Sequence, residues 1–444
     1  MHLRARFHHL GLSVLLCLLP AFVRAQVPSI PDTPAGKTLR AWLDVLNSGD
    51  RAQAEQYVRT IDKNEHADGL IAFHNQTGGF DLLSIESSEP LHIRFIVKEK
   101  DSPTTALGNL TVNPGDPPTV ASFGLRALPP GVKPENITLD TAFRARVIQD
   151  IETDLTDAYI DPAIATRMNA ALTAHQNAGD YNNITDPDAF ASRLTADLRA
   201  VSHDMHLHVD FSPFKQPARS EPTPEERDRE RAEILRDNCE FKTVEILPNN
   251  IGYVKFNAFM PPDICGPTAS AAMTFVAHTS ALIIDLRDNG GGDPAMVSFL
   301  AGYLFDHPTH LNDLFYRKGN DTHQFWTSSF VPGERPGDIP VYVLTSHHTF
   351  SGAEEFSYDM QTQKRATLVG ETTGGGAHPV QGEVIADYFT IALPAGKPIN
   401  PVTHKDWEGT GVVPEVKVPA ADALATAEKL ATQKIQAQSP AEKK

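Results

Sequence analysis

Apolar residues recur at helical spacing from Thr38 to Phe73, as in Leu39, Trp42, Leu43 and Leu46. From Phe80 to Val120 the period falls to two, as in the alternating run Leu91-His92-Ile93-Arg94-Phe95-Ile96-Val97. Helices followed by a strand meander predict a small α+β domain over residues 26–130, closed by the turn-rich Leu128-Pro129-Pro130-Gly131. Thr138 to Val201 returns to helical spacing with one break at Tyr181 to Pro187, which predicts a helical bundle. Strand alternation through Ser202 to Asp210 places Met205, Leu207 and Val209 on one face. Asp204, His206, His208 and Asp210 fall on the other. A charged linker, Ser212 to Asp237, completes a segment over residues 131–240.

From Thr243 onward β and α patterns alternate, with a helix predicted over Thr268 to Thr279. The strands Ala281 to Leu286 and Val341 to Leu344 are apolar without interruption, which predicts a sheet covered on both faces over residues 241–420. Residues 421–444, rich in Ala and Lys, predict a terminal helix that frays from Ser439.

At 444 residues the chain exceeds one typical core, and 41% apolar with 21% charged residues is a globular composition. The N-terminus changes that picture. Arg4 and Arg6 precede the apolar run Leu10 to Val23, and Val23-Arg24-Ala25 offers a small-residue cleavage site, so residues 1–25 read as a signal peptide and the protein as exported, periplasmic or extracellular. Losing Arg4, Arg6 and Arg24 takes the formal net charge from -17 to -20. Such an acidic protein is a poor partner for nucleic acid or anionic lipid, and no later stretch is long enough to span a membrane. Cys239 and Cys265 remain; export permits them to pair, and spacing alone does not show that they do.

Chemistry concentrates at strand-to-helix junctions. After Val341 to Leu344 comes Thr345-Ser346-His347-His348-Thr349-Phe350-Ser351-Gly352-Ala353-Glu354-Glu355-Phe356, which puts Ser351 at a helix start where the unpaired N–H groups of Gly352 and Ala353 can meet an anion. The same position suits an ordinary N-cap serine. After Ala281 to Leu286 comes Arg287-Asp288-Asn289-Gly290-Gly291-Gly292, whose bare backbone lets N–H groups approach a ligand; the spacing of a dinucleotide fingerprint and a P-loop lysine are both missing. A second glycine turn, Gly370 to Pro379, follows another apolar strand. Glu408, between Trp407 and Gly409, is a carboxylate able to orient an imidazole, or a turn residue. His206 reads as a base, as a strand histidine satisfied by Asp204, or as a metal ligand with His208 and Asp204.

Asp285 to Gly292, Thr345-Ser346 with Thr349 to Glu354, Val369 to Gly375 and Trp407 to Val412 occur in that order. Together they resemble the tail-specific (C-terminal-processing) and tricorn-type serine peptidase family, in the branch similar to the interphotoreceptor retinoid-binding protein modules. The resemblance covers roughly Asp140 to Val418. It implies a ClpP/crotonase-like α/β core, an acyl-enzyme mechanism on peptide or protein substrates without a cofactor, Ser351 as nucleophile, His206 as base and Glu408 as its orienter. The implied oxyanion donors are Gly352 N–H and, of the three glycines, Gly291. The lysine of the C-terminal-processing branch falls on Gly376 here, which turns the resemblance toward the tricorn-type Ser-His-Glu arrangement. The retinoid-binding branch implies the alternative of a non-catalytic module for an apolar ligand. The segment before Pro130 lies outside the resemblance and is similar, in architecture alone, to a nuclear transport factor 2-like cone.

Overall fold

A computed structural model describes residues 28–63, 65–129, 131–135, 137–217 and 222–438. The expected signal peptide and the frayed end of the tail lie outside them. The chain divides into two compact units, Met1–Pro134 and Glu135–Lys444.

In the first unit, helices α1 (Pro34–Ser48), α2 (Arg51–Thr60) and α3 (Ala67–Thr77) precede strands β1 (Phe80–Ser88), β2 (His92–Glu99), β3 (Thr105–Asn113) and β4 (Thr119–Leu128). The strands form one antiparallel sheet in chain order. Thr33 and Asp50 cap α1 and α2 by accepting backbone N–H groups. The helical stripe Leu39, Trp42, Leu43 and Leu46 packs with Ile93, Phe95 and Val97 of β2 in a single core, with the Trp42 ring 5.4 Å from that of Phe80.

The second unit begins with helices α4 (Thr141–Ala158), α5 (Pro162–Ala178) and α6 (Pro187–Ser202), each opened by an aspartate cap. Strand β5 (His208–Phe211), helix α7 (Pro224–Arg236), β6 (Phe241–Leu247), β7 (Ile251–Phe256), α8 (Pro262–Phe275), β8 (Ala281–Asp285) and α9 (Pro294–Ala301) follow. Then come β9 (His310–Tyr316), β10 (Asp321–Trp326), β11 (Val341–Thr345), α10 (Gly352–Thr362), β12 (Thr367–Gly370), β13 (Val380–Ile385), β14 (Phe389–Pro394), β15 (Gly396–Ile399), β16 (Val416–Lys417) and α11 (Ala420–Gln438). The central sheet has the order β16-β12-β11-β8-β7-β6 and is parallel except for the β6–β7 pair. Its inner strands β8 and β11 are buried along their whole length because both faces are covered. Leu282, Ile284 and Val343 pack under α8, α9 and α10, while Ile283, Tyr342 and Leu344 meet Ala423, Ala427 and Ala431 of α11.

Three expectations change. The helix expected over Thr268 to Thr279 starts earlier, because Pro262 occupies its favoured first-turn position and Pro267 is accommodated inside. The strand expected over Ser202 to Asp210 is shorter: α6 runs to Ser202, His203 is its left-handed cap and pairing begins only at His208. Between them Arg199 donates to the carbonyls of Met205 and Leu207, and Asp204 accepts the His206 N–H, so side chains satisfy the backbone that a ladder would otherwise satisfy. Asp204 is consequently buried and Met205 exposed, the reverse of the alternation. Helices α4 to α6 also do not form a separate bundle. They share one core with β5, β13 and β14, which pair into a three-stranded sheet.

Candidate active site

Ser351 stands where β11 gives way to α10, at the carboxyl end of the parallel strands, where open α/β sheets place their sites. An ordinary N-cap is extended, as Thr33, Asp140 and Asp186 are. Ser351 instead has φ 52 and ψ -122, a left-handed elbow for a residue with a side chain. The turn before it is tied down from below. Thr349 Oγ1 donates to the Leu286 carbonyl at 2.7 Å, Ser346 Oγ to that of Arg287 and the Phe350 N–H to that of Asn289 at 3.1 Å. Glu354, fully buried on the first turn of α10, accepts the Ser351 N–H at 2.9 Å together with the N–H groups of Gly375 and Gly376 and the Thr373 hydroxyl. One carboxylate therefore fixes both the serine elbow and the second glycine turn.

The first glycine turn lies against this elbow. A Cβ on Gly291, whose φ is 102, would come within 2.7 Å of Gly352 N and 2.8 Å of Ser351 Cβ, so only glycine permits the approach. Buried Asn289 shapes the turn by donating to the Phe256 carbonyl and accepting the Gly291 N–H at 2.9 Å. That bond corrects the expectation for Gly291, whose N–H is already committed. Gly290 likewise donates to the Asn257 carbonyl. Among the described residues, the N–H groups of Gly292 and Gly352 have no acceptor, and both residues line a cavity of about 270 Å³ together with Ser351, His206 and His378.

His206 occupies the turn before β5, with its ring 4.6 Å from that of Phe350. Both ring nitrogens are buried without a hydrogen-bond partner, and Nδ1 lies 3.8 Å from Asp204 Oδ1. Burial pushes this imidazole down to about 4 against the pull of Asp204, so it is neutral across the physiological range. Glu408 follows buried Trp407, whose indole N–H donates to the Gly376 carbonyl. Glu408 Oε2 accepts the Ala377 N–H at 2.7 Å, whereas Oε1 is buried and unpartnered. Burial, reinforced by the charge of Asp204, raises Glu408 to about 7. The nearest donor atoms of Asp204, His206 and Glu408 all lie within 4.8 Å of one another.

The structure thus gathers Ser351, His206, Gly352 and Gly292 around one cavity, with Glu408 beside His206, without a hydrogen bond between Ser351 and the imidazole. Such bonds commonly tighten only when substrate binds. His208 does not join this group: its ring faces Asp210 at 3.4 Å and the His206 carbonyl, which removes the metal set His206, His208 and Asp204. Sequence reasoning gave no role to His378 or Asn289. His378 Nδ1 is 2.7 Å from Asp204 Oδ2 and 3.6 Å from Glu408 Oε2. A larger recess of about 450 Å³, lined by Lys364, Arg365 and Lys434, opens beside Val341 and Thr367. It sits where β11 and β12 begin, at the opposite ends of the strands from Ser351, and its Arg365 guanidinium is occupied by three backbone carbonyls.

Residues 250–418 match peptidase family S41, and residues 136–248 match the N-terminal domain of peptidase S41 in eukaryotic IRBP. With these two matches running consecutively through the second unit, the chain belongs to peptidase family S41. Among solved structures it is similar to a putative peptidase from Parabacteroides merdae, at 17% identity over 67% of this chain and 97% of that one, with a TM-score of 0.47. It is also similar to the photosystem II D1 C-terminal processing protease, at 14% identity over 63% and 94% with a TM-score of 0.40. Mature CPAF is similar at 13% identity over 67% and 99%, with a TM-score of 0.49. Proteins or peptides are the substrate class of the family. No helix among the described residues is long and apolar enough to cross a membrane.

Proposed function

We propose that this protein is an exported serine peptidase that hydrolyses peptide bonds through an acyl-enzyme on Ser351. The observation that carries the reading is the elbow itself: a serine at φ 52 facing a cavity beside two uncommitted amides and a neutral, unpartnered histidine. In the first half-reaction Ser351 Oγ attacks the scissile carbonyl and His206 takes its proton. The resulting oxyanion accepts from Gly352 N–H and Gly292 N–H, in place of the Gly291 amide. Glu408 stabilises the imidazolium, which then protonates the departing amine as the C–N bond breaks. Water, deprotonated by the same imidazole, releases the acid and restores Ser351.

Export follows from the leader-like pattern of residues 1–25 and is supported by the cysteine pair in the second unit. The test is an active-site label. A fluorophosphonate should modify the protein at Ser351 alone, and peptide hydrolysis should stop in proportion to labelling. A folded protein that takes up no label, yet binds an apolar ligand, is the non-catalytic module instead.

A further inference from the structure

Asp204 reaches the site from the turn after α6, and Glu408 from the turn after Trp407, so two carboxylates from distant parts of the chain share one buried volume. Among the described residues, no lysine or arginine pairs with either. Two such groups repel each other unless a cation or proton lies between them. The group that lies there is the His378 ring, 2.7 Å from Asp204 and 3.6 Å from Glu408.

We propose that His378 is a positioning residue of the peptidase site, an imidazolium clamp that binds Asp204 and keeps Glu408 ionised and aimed at His206. This deepens the Ser351, His206 and Glu408 reading and rests on it. Both neighbours of Nδ1 are acceptors, so Nδ1 carries a proton, and a second proton on the ring supplies the missing positive charge. The residue also contributes its backbone, since its own N–H and that of Ala377 bracket Glu408 Oε2 at 3.3 and 2.7 Å. Main chain and ring therefore hold one oxygen of Glu408 and leave Oε1 unpartnered, with a carboxylate oxygen of Glu408 within 4.8 Å of a His206 ring nitrogen. The groups that act on the clamp are Asp204, Glu408, Asp406 and His206, with Tyr159 of the segment after α4 close to both carboxylates. The carboxylates raise the His378 pKa despite its burial, while His378 in turn opposes the rise of Glu408.

The experiment compares unsubstituted protein with H378N, H378A and H206A, following the pH dependence of kcat/KM and of fluorophosphonate labelling. Asparagine keeps a donor for Asp204 without the charge. Loss of the charge raises Glu408, so the acid limb of both profiles should move up by about one pH unit or more. At neutral pH the rate should fall roughly tenfold with KM nearly constant, and the gap should close as the medium becomes alkaline. A limb that stays in place in H378N overturns the clamp. So does a variant as inactive as H206A at every pH, since that assigns proton transfer to His378 itself. NMR titration of the His378 ring in S351A protein decides independently of turnover: the clamp requires protonation persisting above the ordinary histidine range, and a ring neutral at pH 7 overturns it. If the unsubstituted protein takes no label, the Ser351 reading fails, and this titration still decides whether the clamp exists.

Discussion

Ser351 and His206 line one cavity without a hydrogen bond between them, and their environments differ. Ser351 is half-buried at the cavity wall, so S351A should abolish turnover and labelling while leaving the Tm within a degree or two, a small surface effect on the scale of about 0.5 kcal/mol. Retained hydrolysis would remove it as nucleophile. The pH dependence belongs to Glu408 rather than to the histidine. An unperturbed base titrates near 6.5, but burial holds His206 near 4 and lifts Glu408 to about 7, so kcat/KM should rise with pH through about 7 as Glu408 ionises. Stability is a poor reporter of the same groups. Below about 7 the folded state holds the Glu408 proton more tightly than the unfolded chain, so its contribution is lost as pH rises from 4.5 to about 7. The unfolded chain binds the His206 proton more tightly between about 4 and 6.5, so that contribution rises over nearly the same window and the two slopes oppose. E408Q keeps the shape and loses the charge; by analogy with the aspartate of a serine-peptidase triad, kcat should fall by up to about ten-thousand-fold with KM little changed. Chelator should leave the rate untouched, and a loss that zinc restores would identify Asp204, His206 and Glu408 as a metal site.

At the scale of elements, what could be read from the chain was what is local to one junction. Ser351 and Gly352 were legible because an apolar strand, a polar turn and a helix-forming run define the elbow within sixteen residues, Val341 to Phe356. The covered sheet was legible from its uninterrupted apolar strands. Asn289 was not, because its task of holding the Gly291 N–H exists only once the turn has folded under β11. His378 was not, because its partner Asp204 is 174 residues away. The strand through Asp204 and His206 was misread for a related reason: period-two alternation does not reveal that Arg199 captures the intervening carbonyls. The two glycine turns supply the sharpest elemental tests. G291A forces a side chain into a φ of 102 and against Gly352 N, and should cost about 1–3 kcal/mol in thermal unfolding with a larger loss in kcat than in KM. E354A removes the acceptor shared by the elbow and the second turn, leaving several N–H groups buried and unpaired. It should lower stability by about 3 kcal/mol or more and abolish labelling, whereas a mild effect on both would show that the two turns are held independently.

At the scale of the whole molecule each unit has its own core, and the cysteine pair acts within the second. Cys239 and Cys265, 26 positions apart in sequence, are joined by a disulfide with Cα atoms 5.7 Å apart. The bridge ties the segment leading into β6 to the first turns of α8, so it fastens the edge of the central sheet to the helical layer above it. Both cysteines are almost fully buried in the same core as Ala353 and Phe356 of the serine helix. Closing a loop of this length removes freedom chiefly from the unfolded chain, an effect of about 3 kcal/mol in the chain-entropy picture. Protein recovered from an oxidising compartment should therefore show no free thiol at these positions before denaturation and reduction. The C239S/C265S pair should unfold at lower denaturant by about that amount, with hydrolysis per folded molecule nearly unchanged because neither residue borders the Ser351 cavity. Two titratable thiols in native protein kept under oxidising conditions would show that the bridge does not form, and equal stability of the serine pair would show that it does not matter to the fold.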